Sequence, residues 1–178
     1  LDVDLLTLAG HKLYAPKGVG ALYVREGVEI EPLIHGGGQE DGQRSGTEAV
    51  MMAVALGTAS HLASKRLTLA KVSETRDYFW SALKEAFGDA VIQNGDLERR
   101  LPNTLNVSFI GRDGSKILDK LEEFAASTGS ACHEESVTMS PVLAAMGLSD
   151  NVAMGAIRFS VGDATTPDEI DLTVKSLA

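Results

Sequence analysis

A single cysteine, Cys132, among 178 residues excludes any disulfide within the chain and any all-cysteine metal cluster. Long apolar runs are missing as well. No stretch approaches the roughly 20 apolar residues that a membrane helix needs, and the first residues lack the basic segment and apolar segment of a secretory leader. Positive charge is in deficit, with 16 Lys and Arg against 25 Asp and Glu and a formal net charge of −9. The pI near 4.9 argues against binding a phosphate backbone, which takes clustered cations to displace counterions. Together these absences predict a soluble, cytoplasmic protein with neither nucleic acid nor membrane as partner. No metal site is expected: the four histidines and Cys132 have no zinc-like spacing, and adjacent Cys132 and His133 point differently on any regular element. His35-Gly36-Gly37-Gly38 matches the oxyanion loop of esterases, but no Gly-x-Ser-x-Gly elbow accompanies it. A P-loop is absent too. The chain starts at Leu1, inside a strand-like run and without Met, so a fragment of a longer protein is expected.

What is present suffices for a folded core: 44% hydrophobic and 23% charged residues, with mean hydropathy of +0.02. Two short apolar runs, residues 3–9 closed by Gly10 and residues 18–24, read as buried strands of a sheet interior. The five-glycine stretch from His35 to Gly46 reads as a long exposed loop. From about Thr47 to Phe87 the apolar residues recur at three- and four-residue steps, including Val50, Val54, Leu62, Phe79 and Leu83, which predicts long helix with a break near Gly57 and a cap at Gly88. Strands are expected near 90–92 and over 104–109, and a helix across 115–124 with Leu118, Leu121 and Phe124 on its buried face. Ser140-Pro141 opens a further helix that Gly147 ends. Thr166-Pro167-Asp168-Glu169 combines N-cap, N1 proline and N3 glutamate before a last helix over about 167–177. Strands interleaved with helices make the fold class α/β.

Three residues carry chemistry. Lys12, in Gly10-His11-Lys12 directly after a strand, stands where desolvation would lower an amine's pKa and let it form a Schiff base; most lysines are simply solvated charges. Cys132 lies in the small, polar stretch from Ser127 to Ser136. A thiol on such a loop can act as a nucleophilic thiolate, whereas a lone cysteine is more often a small buried hydrophobe. Arg158 alternates with Ile157, Phe159 and Val161, so it projects from the opposite strand face, either as a fork for a substrate carboxylate or as an ordinary edge arginine. Arg44, in the glycine-rich loop, admits the same two readings.

In chain order, residues 9–24 (Ala-Gly-His-Lys-Leu-Tyr-Ala-Pro-Lys-Gly-Val-Gly-Ala-Leu-Tyr-Val), His35-Gly-Gly-Gly-Gln-Glu40, Arg44-Ser-Gly-Thr47, Thr128-Gly-Ser-Ala-Cys132 and Gly155-Ala-Ile-Arg158 resemble the NifS/IscS-type cysteine desulfurases. These are class-V aminotransferases of pyridoxal-phosphate fold type I. The resemblance spans essentially the whole chain but only the C-terminal half of the family's length. It implies that residues 1–60 end the large cofactor-binding domain and that 61–178 form the small C-terminal α/β domain carrying the Cys132 loop. It further implies that Lys12 holds pyridoxal 5'-phosphate through its amine and then serves as base and acid at the substrate Cα and Cβ. His11 and Thr47 would contact the cofactor phosphate, Thr47 in the neighbouring subunit of a homodimer. Arg158 would hold the α-carboxylate of L-cysteine. Cys132 would attack the substrate sulfur, leaving L-alanine and a persulfide for a sulfur-acceptor or scaffold protein in iron–sulfur cluster assembly. The chemistry suits the residues, because the cofactor is the electron sink while the protein supplies orientation and a thiol.

Two departures stand out. Many family members carry a phosphate-binding Ser where this chain has Ala9, and the upstream half, with its further cofactor contacts, is not in this sequence. The isolated chain is therefore expected to be inactive. The non-Ser residue at position 9 and Cys132-His133 also fit a selenocysteine lyase, and a non-catalytic dimerisation or acceptor-docking module is the rival of another class.

Overall fold

Alternation along Thr104–Phe109 divides Leu105, Val107 and Phe109 from Thr104, Asn106 and Ser108, and a strand sorts such a sequence onto two faces. That sorting organises the larger part of the protein. The computed structural model describes residues 2–65, 69–121, 123–128 and 139–178. The chain divides into two compact units, Leu1–Leu67 and Thr68–Ala178.

In the first unit, β1 (Leu5–Ala9) and β2 (Gly20–Val24) pair antiparallel, Leu5 opposite Val24 and Ala9 opposite Gly20. A 3-10 turn, Gly10–Leu13, joins the ribbon to the stretch that returns as β2, and its backbone closes on Tyr14 in the left-handed region (φ 65°). Gly10 is buried so tightly that a Cβ there would lie 2.8 Å from Val19. After the glycine-rich segment comes α1 (Val50–Lys65). The expectation of buried strands is corrected here. Leu5, Leu8, Leu22 and Tyr23 are 40–49% exposed, because a two-stranded ribbon has no second sheet neighbour and, within this unit, little to cover its faces. α1 likewise has Val50, Met51 and Val54 more than 60% exposed, and only Ala59 buried. Gly57 does not break it.

The second unit begins with α2 (Leu69–Phe87), which ends at Gly88, φ 53°. β3 (Val91–Gln93), β4 (Thr104–Phe109) and β5 (Ala156–Ser160) form an antiparallel sheet in that order. Its register aligns Val91 with Phe109, Val107 with Ile157 and Leu105 with Phe159. These residues share one face, and α2 and α6 (Pro167–Leu177) cover it with Phe79, Leu83, Ile170 and Val174. Phe79 meets Phe159 at 4.9 Å between ring centroids, and Phe87 meets Phe109 edge-on at 5.3 Å; such pairs each add about 0.5–1.5 kcal/mol beyond area burial. Tyr78 ties the two helices by donating its hydroxyl to Asp171 Oδ1 (2.7 Å), and that bond raises the phenol's pKa.

The opposite sheet face is shared. Where β5 begins opposite Ser108 of β4, Ala156 packs with Leu143 and Ala153, from the short helices α4 (Pro141–Ala145) and α5 (Asp150–Ala153). The helix expected over 115–124 is only α3 (Gly114–Leu118). The N–H groups of Lys120, Leu121 and Phe124 each reach back three residues, so the chain tightens into turns, and Leu121 is buried without extending the helix. The last helix forms as expected, with the full capping box between Thr166 and Glu169. The α/β class stands, with both sheets antiparallel.

Candidate active site

Lys12 and Arg158 fall in different units, so the surroundings of each are described separately. Lys12 projects from the 3-10 turn that the buried Gly10 anchors: Gly10 N–H donates to Val19 O (2.9 Å) and Gly10 O accepts from Ala15 N–H (3.0 Å). The turn is held by backbone at both ends, while His11 and Lys12 are exposed. Ala9, just before the turn, supplies no hydroxyl.

The glycine-rich segment is not featureless. Ser45 is buried within it (6% exposed), and its hydroxyl donates to Ile34 O (3.0 Å). Gln39 Oε1 accepts from Gly46 N–H (3.2 Å), and Arg44 Nη1 donates to Ser45 O. Gly36 lies so close to Ser45 that a Cβ would meet its side chain at 2.9 Å. The loop is therefore closed on itself, and Thr47 emerges exposed between it and α1.

In the second unit, Arg158 stands exposed on β5, on the face opposite the apolar core. Its backbone exchanges two hydrogen bonds with Ser127: Ser127 N–H to Arg158 O at 3.2 Å and Arg158 N–H to Ser127 O at 2.7 Å. Across β5, Arg158 opposes Asn106 on β4. Asn106 in turn lies beside Asn94, whose N–H donates to Asn106 O (2.9 Å) and whose Nδ2 donates to Asn106 Oδ1 (2.8 Å) and Ser108 Oγ (2.7 Å). A polar row thus crosses the sheet through Asn94, Asn106, Arg158 and Ser127. Sequence reasoning singled out only Arg158; the signal for Asn106 and Ser108 was the same period-two alternation that placed Leu105 and Val107 in the core. Cys132 and His133 lie outside the described residues.

Gly155, just before β5, explains part of the Gly155-Ala-Ile-Arg158 motif. A Cβ there would fall on the carbonyl oxygen of Phe109 and 2.9 Å from its carbon, while Gly155 O accepts from Phe109 N–H (3.0 Å). No side chain fits so close an approach of two backbones.

The donor set of the first unit fits pyridoxal phosphate: an exposed primary amine for its aldehyde, with an imidazole and a hydroxyl as donors for its phosphate. Among the described residues, no helix is long and apolar enough to cross a membrane.

A model of the class-V aminotransferase family matches residues 1–173. Among curated proteins, the cysteine desulfurase IscS of Enterobacter sp. (strain 638) is 44% identical over 179 residues, covering 98% of this chain and 44% of the relative. That of Klebsiella pneumoniae (strain 342) is 44% identical over 178 residues with the same coverage. The chain thus spans a little under half the length of these relatives. Among solved structures, a NifS-like protein superposes with a TM-score of 0.82 at 36% identity, over 99% of this chain and 46% of that one. A NifS-like protein from Rickettsia africae gives 0.84 at 29% identity, over 98% and 46%. SspA in complex with cysteine gives 0.65 at 35% identity, over 90% and 44%.

Proposed function

Because the chain belongs to the class-V aminotransferase family, we propose that it is the C-terminal part of a pyridoxal-phosphate-dependent cysteine desulfurase that converts L-cysteine to L-alanine and passes the sulfur to Cys132. The observation that carries this reading is the co-occurrence in one chain of Lys12 on its backbone-anchored turn, Arg158 exposed on the polar face of β5 and, in the sequence, Cys132. A dimerisation or docking module would need none of the three side chains. The likeness to proteins named cysteine desulfurase favours sulfur over selenium as the substrate atom.

Lys12 would hold the cofactor, with His11 and Thr47 binding its phosphate, Thr47 in the neighbouring subunit of a homodimer. The bound cofactor supplies an electron sink conjugated to the substrate Cα. As a free amine, Lys12 would move protons, taking one from the substrate Cα and returning protons to carbon as alanine forms. Arg158 orients the substrate by a bidentate grip on its α-carboxylate. The Cys132 thiolate attacks the substrate sulfur. A new S–S bond forms as the Cβ–S bond breaks, its electron pair stays with carbon, and protonation there gives alanine. The balance is L-cysteine plus Cys132 thiol to L-alanine plus Cys132 persulfide, with no external oxidant or reductant. A sulfur-acceptor or scaffold protein, in iron–sulfur cluster assembly, would then receive the terminal sulfur.

The test uses the full-length holoprotein that contains this chain. After incubation with L-cysteine, mass spectrometry of the Cys132 peptide should show one added sulfur atom, in step with alanine release. Borohydride reduction beforehand should place a phosphopyridoxyl group on Lys12. A cofactor-loaded protein that yields no alanine from cysteine overturns the proposal.

A further inference from the structure

Arg158 commits both of its backbone groups to Ser127, on the outer side of β5. Towards β4 it therefore belongs to a non-hydrogen-bonded pair, the kind in which antiparallel strands bring opposed Cα atoms to about 4.5 Å and side chains closest together. Its opposed residue is Asn106. The Asn106 carboxamide is fixed from its far side, because Asn94 Nδ2 donates to Oδ1 at 2.8 Å while also donating to Ser108 Oγ at 2.7 Å. An amide oxygen held towards β3 leaves the amino end of the same planar group on the side of β5.

Among the described residues, Asn106 Nδ2 has no hydrogen-bond acceptor and the exposed Arg158 guanidinium no carboxylate partner. A guanidinium carries donors only, and so does a carboxamide nitrogen. Two uncommitted donor groups from facing strands, with Asn94 and Ser108 bracing one of them, complement an anion that offers two oxygens.

We propose that Asn106 is a second ligand for the substrate α-carboxylate, its Nδ2 donating to one oxygen while Arg158 grips the group, and that Asn94 acts as the positioning residue that presents Nδ2. This rests on the reading of Arg158 in the proposed function. The site thereby selects aminothiols that carry a carboxylate over those that lack one, since without that group both donors would go unpaired in the complex.

The experiment compares L-cysteine with cysteamine, the same aminothiol without the carboxylate, in the full-length holoprotein. Asn106→Ala should raise the KM for L-cysteine about tenfold, the loss expected for one hydrogen bond to a charged group, with a smaller change in kcat and the same inhibition constant for cysteamine as wild type. Asn106→Asp, nearly isosteric, should raise that KM further, about a hundredfold, because its carboxylate pairs with Arg158 and repels that of the substrate. Equal weakening of cysteine and cysteamine in Asn106→Ala would indicate a merely structural role and overturn the proposal, as would an unchanged KM. Arg158→Ala separates the two levels. If it raises the KM and Asn106→Ala does not, the inference about Asn106 alone fails; if Arg158→Ala leaves the KM unchanged, the assignment of Arg158 fails and this one with it.

Discussion

Ser127 and Arg158 exchange both backbone hydrogen bonds of an antiparallel bridge, at 3.2 and 2.7 Å, so a residue shortly before Cys132 in the sequence is pinned to the strand that carries Arg158. Ser127 thus fixes the backbone of the arginine proposed to bind the substrate carboxylate, and a change at this bridge should act on sulfur transfer without touching the cofactor.

Ser127→Pro removes the N–H that donates to Arg158 O and sets proline into a ladder position. Loss of one such bond corresponds to roughly 1 kcal/mol. Sulfur transfer from L-cysteine to Cys132 should slow by about three- to tenfold, measured by single-turnover trapping of the persulfide. The cofactor absorbance of the full-length protein should be unchanged, and Ser127→Ala, which keeps the N–H, should cost less.

Lys12→Ala should abolish alanine formation, a loss on the order of a thousandfold or more when a positioned proton carrier is removed. Reduction with borohydride should then leave no phosphopyridoxyl lysine, read by peptide mass. Cys132→Ser should block sulfur capture while leaving that lysine adduct intact, which distinguishes the sulfur carrier from the cofactor anchor.

Gly155→Ala forces a methyl group onto the Phe109 carbonyl at the end of the β4–β5 pairing. Backbone on both sides leaves little room to relax, and overpacking of this kind costs about 3 kcal/mol. Trp80, the sole tryptophan, packs against the same core, so urea unfolding followed by its fluorescence should show the lower midpoint directly.

Thr166→Ala should cost about 1 kcal/mol, as loss of a helix N-cap does. The pH dependence here has a definite sign. Hydrogen bonds from Thr166 N–H (2.8 Å) and then from its hydroxyl (3.0 Å) hold the Glu169 carboxyl below its ordinary pKa. A carboxyl whose pKa is lowered by folding adds stability that is present above its unfolded pKa and lost as pH falls through the folded one. Acidification below the ordinary carboxylate range should therefore remove the contribution of Glu169 from wild type, and Glu169→Gln should lack that part of the acid dependence when Tm is followed against pH.

Much of the second unit was legible because its signals are local. The capping box needs only Thr166 and Glu169 three residues apart, and the alternation in β4 and β5 assigns Leu105, Val107, Ile157 and Phe159 to the core by strand geometry alone. The same reasoning misread β1 and β2. An apolar run such as Leu5–Ala9 is compatible with a covered strand, but whether anything covers it depends on neighbours distant in sequence, and within the first unit Leu5 and Leu22 remain 49% exposed. The helix expected to reach Phe124 stopped at Leu118 because three-residue hydrogen bonds took over, a choice that apolar spacing does not encode.

The sequence by itself determined the ordered motifs, the Thr166–Glu169 capping box and the inward side of β4 and β5, since all of these follow from residue type and from spacings of two to four positions. Only the tertiary structure decided that Asn94, Asn106, Arg158 and Ser127 form one row. That row depends on which strands pair and in what register, and a shift of one residue in either pairing would turn Asn106 or Arg158 to the other face. Register is fixed by contacts across the whole sheet, where Val91, Leu105, Val107 and Ile157 are all fully buried together, and no short stretch of the chain contains that information.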